Sequence, residues 1–313
     1  MIDTTLPSAS QGRTWRATFT EHARNHRWAA SGLAVAALAV IFLLLQGVYG
    51  ALTSSVPDSL RLAMLGGLAG FAATALGAFP AFFLGSLPAK IQDSMLGLAA
   101  GMMLAASAFS LILPGLEAGE ALTGGPFGGA ALVVAGMALG VLLMLGLDAF
   151  LPHEHDSTGP CGAGHERCAR VWLFVFAIAL HNLPEGMAIG VAFSQADLSV
   201  GLPLASAIAL QDIPEGLAVA LSLRAAGFRP GVAVLVAALS GLLEPVGAFM
   251  GVSLASGLAF AYPVGLGLAA GAMIFVVSHE VIPETHRNGH QTPATLGLMA
   301  GFALMMVLDT ALG

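Results

Sequence analysis

The sequence predicts an all-α polytopic membrane protein. Charged residues make up 9% of the 313, where a soluble domain carries about 25%, while 57% are hydrophobic and mean hydropathy is +0.86. A chain so poor in charge does not cover a water-facing surface. Its 40 glycines, with abundant alanine, suit helices that approach closely within a bilayer. The formal charge of -7 says little about partners, because position matters more than total in such a chain.

A membrane span needs about 20 mainly apolar residues. Nine stretches qualify: 29–51, 60–84, 92–116, 127–151, 171–194, 201–223, 232–256, 263–286 and 292–312. The expected organisation is a polar cytoplasmic tail over 1–28, an extra transmembrane helix over 29–51, and a core over 60–313. The polar start is too long for the basic region of a signal peptide, so the first span is expected to be retained. The connections are short, which predicts one integral domain.

Basic residues set the orientation. With the N-terminus inside, Arg13, Arg16, Arg24, Arg27, Lys90, Arg167, Arg170, Arg224, Arg229 and Arg287 all fall on the cytoplasmic side, and Arg61 alone falls outside. Nine spans then place the C-terminus outside. Cys161 and Cys168 lie in the cytoplasmic loop 152–170, where a structural disulfide is not expected. The same loop carries His153, His155 and His165 and reads either as a weak metal-collecting tract or as a solvated polar loop.

Two repeats organise the core. IALHNLPEG (178–186) returns as IALQDIPEG (208–216), and AAGMMLAASAFSLILPG (99–115) is echoed by AAGAMIFVVSHEVIPE (269–284) with one residue of slippage near the end. In both pairs the two spans run in opposite directions. The prediction is a 3+2+3 inverted-repeat bundle of eight core spans, with 29–51 as an addition. Inverted repeats with a site at the midplane are a transporter arrangement.

The polar residues cluster in depth. His181, Asn182 and Glu185 lie near the centre of one span, Gln211, Asp212 and Glu215 near that of the next, with Glu244 and Met103 central in two others. Four unpaired carboxylates at that depth would cost about 10 kcal/mol on the lower of the insertion scales. No Lys or Arg sits there to pair with them, so the countercharge is protons, a metal cation or both. Residues three and four apart share a helix face, which gathers each triplet. Pro184 and Pro214 each free a backbone carbonyl four residues earlier, at Leu180 and Leu210. Gly186 and Gly216 are expected to leave room beside each glutamate. Imidazole, carboxylate, amide oxygen and thioether together suit a borderline divalent metal such as zinc, and two facing glutamates are able to bridge a pair of ions.

The H-N-x-P-E-G and Q-D-x-P-E-G segments resemble those of the ZIP family of divalent-metal transporters. They are most similar to its bacterial, GufA-like branch, over roughly residues 60–312. The resemblance implies uptake of Zn2+, with Cd2+, Fe2+ or Mn2+ as further substrates, into the cytoplasm across a bacterial inner membrane, and commonly a homodimer. It implies one metal at His181, Glu185, Gln211 and Glu215, with Met103 added. A second would sit at Asn182, Asp212 and Glu244, with Glu185 and Glu215 bridging. The leading span 29–51 departs from the family's eight helices, and Gln211 stands where other branches carry histidine.

Further polar residues mark a route. Asp309 lies toward the outer end of the last span as an entrance residue. His279 and Glu280 sit about 8 Å below the centre of their span, at ~1.5 Å per residue. Glu284, His286, Asp148, His153 and His155 continue to the cytoplasmic exit, and Asp93 is either another exit residue or a helix-start charge. Divalent metal ions and the bilayer are the expected partners, and nucleic acid is not. An intramembrane metalloprotease would call for H-E-x-x-H, which the chain lacks. Alternating access is the expected mechanism, with a channel-like facilitator of the same metals as the alternative.

Overall fold

A computed structural model describes residues 58–84, 87–150, 181–225, 227–255 and 258–312, with three isolated helical positions, Ser31, Val35 and Leu38; the side chains of 147–150 are not included. The tail 1–28, nearly all of the expected span 29–51 and the loop 152–170 lie outside the described residues. Among those described, regular structure is helical throughout and no strand occurs. Seven helices are long and apolar enough to cross a membrane.

In chain order the helices are α1 (Asp58–Ala78, continued by a 3-10 turn Phe79–Phe82), α2 (Ala89–Thr123), α3 (Pro126–Phe150), the helical stretch α4 (181–192), α5 (Leu198–Ala225), α6 (Pro230–Ala255), α7 (Ala261–His286) and α8 (Gln291–Leu312), and the seven of membrane length are all of these but α4. Apart from α4, whose expected first ten residues lie outside those described, each lies within a few residues of a span read from hydropathy, except at one end. The sequence places the end of α2 at 116, but the helix runs on to Thr123. At 35 residues it spans about 50 Å, more than the ~30 Å hydrocarbon core. It ends at Gly124, whose φ of 74° is the left-handed conformation that lets its N–H close on the Glu120 carbonyl. At the start of α5, Asp197 Oδ1 accepts from the Ser199 N–H at 2.8 Å and the Ser199 hydroxyl at 2.7 Å. These bonds hold the Asp197 carboxyl below its ordinary range.

Three helices depart from regular α geometry, and proline lies close to each departure. In α2 a π-turn at Ser107–Ile112 precedes Pro114, and in α7 another at Val277–Val281 precedes Pro283. The widened turn shifts Leu113 N–H to the Ala108 carbonyl and Ile282 N–H to that of Val277. That relieves the clash a proline ring makes with the carbonyl four residues back. The third departure is in α6, which breaks at Gly241–Leu242 so that Glu244 falls in the first turn of its second half, Leu243–Ala255, followed by Pro245.

Glycine sets the packing. Bilayer lipid is as apolar as the helices, so association relies on close backbone approach. Gly97 and Gly101 of α2 seat on Ala294 and Leu298 of α8, and Gly297 and Gly301 of α8 seat reciprocally on Ser94 and Leu98. The register runs in one direction, so α2 and α8 are parallel. Gly136 and Gly140 of α3 meet Val264 and Leu268 of α7 in the same manner, and Gly186 and Gly190 of α4 meet Glu244 and Ala248 of α6. Polar contacts tie the α2–α8 pair near both ends. Asp93, 3% exposed, accepts from His290 Nδ1 at 2.7 Å and from Asn288 Nδ2 at 3.0 Å, while Ser110 donates to Asp309 Oδ1 at 2.6 Å.

A side chain at Gly301 would overlap the Leu98 carbonyl. Gly301→Val is therefore expected to lower the thermal midpoint of the detergent-solubilised protein by about 5 °C or more. An unchanged melting curve would contradict the seam.

Candidate metal centre

Four helices converge where the polar residues lie. His181, Asn182 and Glu185 project from α4, Gln211, Asp212 and Glu215 from α5, Glu244 from α6 and Thr74 from α1. All are buried; none is more than 3% exposed. Glu185, Asp212 and Glu215 each offer a carboxylate oxygen, and these oxygens lie within 4.8 Å of one another. Gln211 Nε2 donates to Glu185 Oε1 across the α4–α5 interface. Glu244 Oε1 accepts from the Thr74 hydroxyl at 2.9 Å.

Many polar atoms here have no protein partner. Among the described residues, the buried side-chain N and O atoms without a hydrogen bond are both ring nitrogens of His181, Asn182 Nδ2, Glu185 Oε2, Gln211 Oε1, both oxygens of Asp212, Glu215 Oε1, Glu244 Oε2 and one remote atom, Ser194 Oγ. Buried polar atoms are paired in the great majority of cases, so this concentration singles the cluster out as the candidate site. The unpaired atoms are mostly carboxylate and amide oxygens and imidazole nitrogens, which fit a divalent cation of borderline character. Among the described residues, basic side chains stay away from it. Arg61, Lys90, Arg224, Arg229 and Arg287 are at or beyond helix ends, and Arg224 donates to the Ala81 carbonyl at 2.9 Å.

The two Pro-Glu-Gly glycines serve a purpose different from the expected one. A Cβ at Gly186 would strike the backbone of Glu244, and one at Gly216 would strike that of Thr74. These glycines bring α4 onto α6 and α5 onto α1, carrying the glutamates inward with them. The space beside a carboxylate comes instead from Gly70 of α1, where a Cβ would overlap Glu244 Oε2 and stand 3.1 Å from Asp212 Oδ2.

Other residues named from the sequence are distributed along the helices. Met103 is buried on α2, which packs against α5. In the π-turn of α7, His279 stacks on Phe275 with ring centroids 5.0 Å apart, and Glu280 Oε2 lies 3.3 Å from His181 Nε2. That approach lacks the direction of a hydrogen bond, so it is an electrostatic contact joining the cluster to the α7 side. Glu284 pairs with Arg287 at 3.1 Å, and His286 Nδ1 donates to the Ile282 carbonyl at 2.7 Å. Asp148 lies on α3 without a described side chain, and His153 and His155 lie outside the described residues. Asp309 engages Ser110 at the far end of the α2–α8 pair, so it is not part of the cluster.

Sequence reasoning missed Thr74, Ser110, Asn288 and His290. Each hydroxyl was visible as a polar residue inside an apolar run. The Asp93 partners needed the α7–α8 turn to be folded back onto α2 before they were recognisable. Removing Asp93 should release that turn: Asp93→Ala is expected to speed amide hydrogen exchange at 287–291 well beyond wild type, measured by mass spectrometry. Equal protection in the two proteins would show that the contact carries no stability.

The chain is similar to known proteins over most of its length. Residues 152–309 match the family model described as ZIP zinc transporter. The chain is 63% identical over 298 residues to zinc transporter ZIPB of Bordetella bronchiseptica, covering 95% of this chain and 96% of the relative. It is 43% identical over 241 residues to zinc transporter GufA of Myxococcus xanthus, covering 77% and 95%. With human zinc transporter ZIP11 it shares 30% identity over 342 aligned positions, covering 82% and 98%.

Proposed function

This chain belongs to the ZIP family of zinc transporters, and we propose that it carries Zn2+ into the cytoplasm through the buried cluster on α4, α5 and α6. The observation that carries the reading is the group of unpaired carboxylate, amide and imidazole atoms, with no basic side chain among the described residues at their level. Its membership places it among transporters and not enzymes.

In the proposed site one zinc is held by His181, Glu185, Gln211 and Glu215, with Met103 approaching from α2. The second is held by Asn182, Asp212 and Glu244, with Glu185 and Glu215 shared between the two ions. The carboxylates replace the water shell of the arriving ion. The break in α6 at Gly241–Leu242 aids this, because it leaves Glu244 in the first turn of the second half, Leu243–Ala255. Cd2+, Fe2+ and Mn2+ are admitted by the same donors with different strength.

The ion enters past Asp309 and leaves past His279, Glu280, Glu284 and His286, then Asp148 and the loop histidines His153 and His155. Glu280 beside His181 offers the first step away from the cluster. Alternating access is supported by the repeated packing. Gly97 and Gly101 stand 170 residues before Gly267 and Gly271, and each pair seats a parallel partner helix. The same halves carry the π-turns before Pro114 and Pro283. Inverted repeats of three helices flanking α4 and α5 account for both. The orientation is N-terminus inside and C-terminus outside, in a bacterial inner membrane, as a homodimer with 29–51 as an added span.

Zinc entry into sealed proteoliposomes holding an internal zinc dye tests the reading. Wild type should give saturable entry, and Glu215→Ala should abolish it. Tight zinc binding without entry would point to a sensor or an enzyme and overturn transport. Linear, non-saturating entry would overturn alternating access in favour of a channel. Replacing Asp212 alone separates a coupled pair of ions from two independent ones: a coupled pair predicts at least a tenfold loss of affinity at the first position, of the order that follows from removing a bridged neighbour.

A further inference from the structure

Glu244 is held by a neighbour on α1 that stands outside the proposed ligand set. Thr74 donates its hydroxyl to Glu244 Oε1 at 2.9 Å and lies 3.3 Å from the Gly70 carbonyl, one turn earlier on its own helix. The hydroxyl has one proton to give, and the shorter contact directs it to Glu244, with the Gly70 carbonyl as the competing acceptor. At Gly70 the missing Cβ leaves the space that Glu244 Oε2 occupies, 3.1 Å from Asp212 Oδ2 when measured from where that Cβ would stand. Together Gly70 and Thr74 form a cradle: the hydroxyl binds one oxygen and the glycine admits the other. Glu244 Oε2 itself has no hydrogen-bond partner.

The position of Thr74 has a counterpart. T-A-L-G-A at 74–78 and E-P-V-G-A at 244–248 are 170 residues apart, the spacing that also relates the glycines of α2 and α7. Their surroundings repeat as well. Gly77 closes on the backbone of Ile213, and Gly247 on that of Leu183, which are equivalent positions in the two Pro-Glu-Gly segments. Gly216 closes on Thr74, and Gly186 closes on Glu244. Thr74 therefore occupies on α1 the place that Glu244 occupies on α6. One half supplies a carboxylate and the other supplies the donor that orients it. A lysine at this place would cancel the negative charge, whereas a hydroxyl fixes the carboxylate and leaves its charge for a cation.

We propose that Thr74 is a positioning residue for zinc transport: its hydroxyl engages Glu244 Oε1 and, with Gly70, turns Oε2 toward Asp212, setting the zinc affinity of that side of the cluster. This rests on the reading of the cluster as the transport site. A ligand held in place before the ion arrives binds more tightly than one that must be ordered on binding.

Zinc affinity by chelator competition, with half-saturating zinc in the proteoliposome assay, tests it in five proteins: wild type, Thr74→Ser, Thr74→Val, Glu244→Ala and the Thr74→Val/Glu244→Ala double variant. Thermal unfolding verifies that each is folded, and Thr74→Ala replaces Thr74→Val if the latter is not. Thr74→Ser should stay within about twofold of wild type, since it keeps the donor. Thr74→Val should weaken zinc about tenfold, the effect of one lost hydrogen bond to a charged group, with a smaller change in maximal rate. The double variant should bind no more weakly than Glu244→Ala, because the threonine acts through that carboxylate. Equal losses for Thr74→Ser and Thr74→Val, an unchanged affinity for Thr74→Val, or additive losses in the double variant would overturn the proposal. Wild-type protein that binds zinc but moves none would overturn the transport reading separately, and the affinity cycle would still decide the Thr74–Glu244 coupling.

Discussion

Four carboxylates buried in one layer of a helix bundle, with no basic side chain among the described residues to meet them, are the constraint on which the rest of the structure depends. An unpaired carboxylate in hydrocarbon is expensive, and in a protein interior it must be neutralised or paired. Glu185, Asp212, Glu215 and Glu244 are each no more than 3% exposed, so bulk water does not reach them. A divalent cation balances several such charges at once and takes up their unpaired oxygens. It is also removable, which a salt-bridged lysine is not. The architecture gathers carboxylates that protons or a small metal ion neutralise, and a metal ion does so reversibly by displacing the protons.

The helices bring these groups together by having almost no side chain at their seams. Gly186 and Gly216 are set directly after the two glutamates and press α4 and α5 against Glu244 and Thr74. Every movement of α4 or α5 along those seams therefore changes ligand spacing. Two contacts reach outward from this centre. Glu280 touches His181 from the π-turn of α7, and α2, with its own π-turn, is tied to α8 through Asp93 near one end and Ser110 near the other. A π-turn is a common place for local adjustment in a helix, and both lie beside residues the proposed route uses.

Much of this was legible in the sequence. The spans follow from composition, because a stretch of about twenty apolar residues in a chain this poor in charge has few other uses. The clustered polar residues were legible because a polar residue in such a stretch is exceptional, and seven of them share one depth. Less visible was what the backbone does. The break in α6 at Gly241–Leu242 and the continuation of α2 to Thr123 depend on hydrogen bonding that hydropathy does not encode. Gly186 and Gly216 were read as room beside each glutamate, yet they are contact surfaces, since the partner helix was unknown. Thr74 escaped notice because threonine is common in membrane helices, and only the fold places its hydroxyl on Glu244.

The most direct test of the central claim is a count of zinc bound by purified protein in equilibrium dialysis, with proton release recorded in weakly buffered solution. His153, His155 and His165 are replaced by alanine so that the loop does not contribute. If a cation neutralises the buried carboxylates, this protein binds zinc saturably and releases protons as it does so, and both signals vanish in the Glu185→Ala/Glu215→Ala variant. Zinc binding that survives the loss of both glutamates would contradict the account.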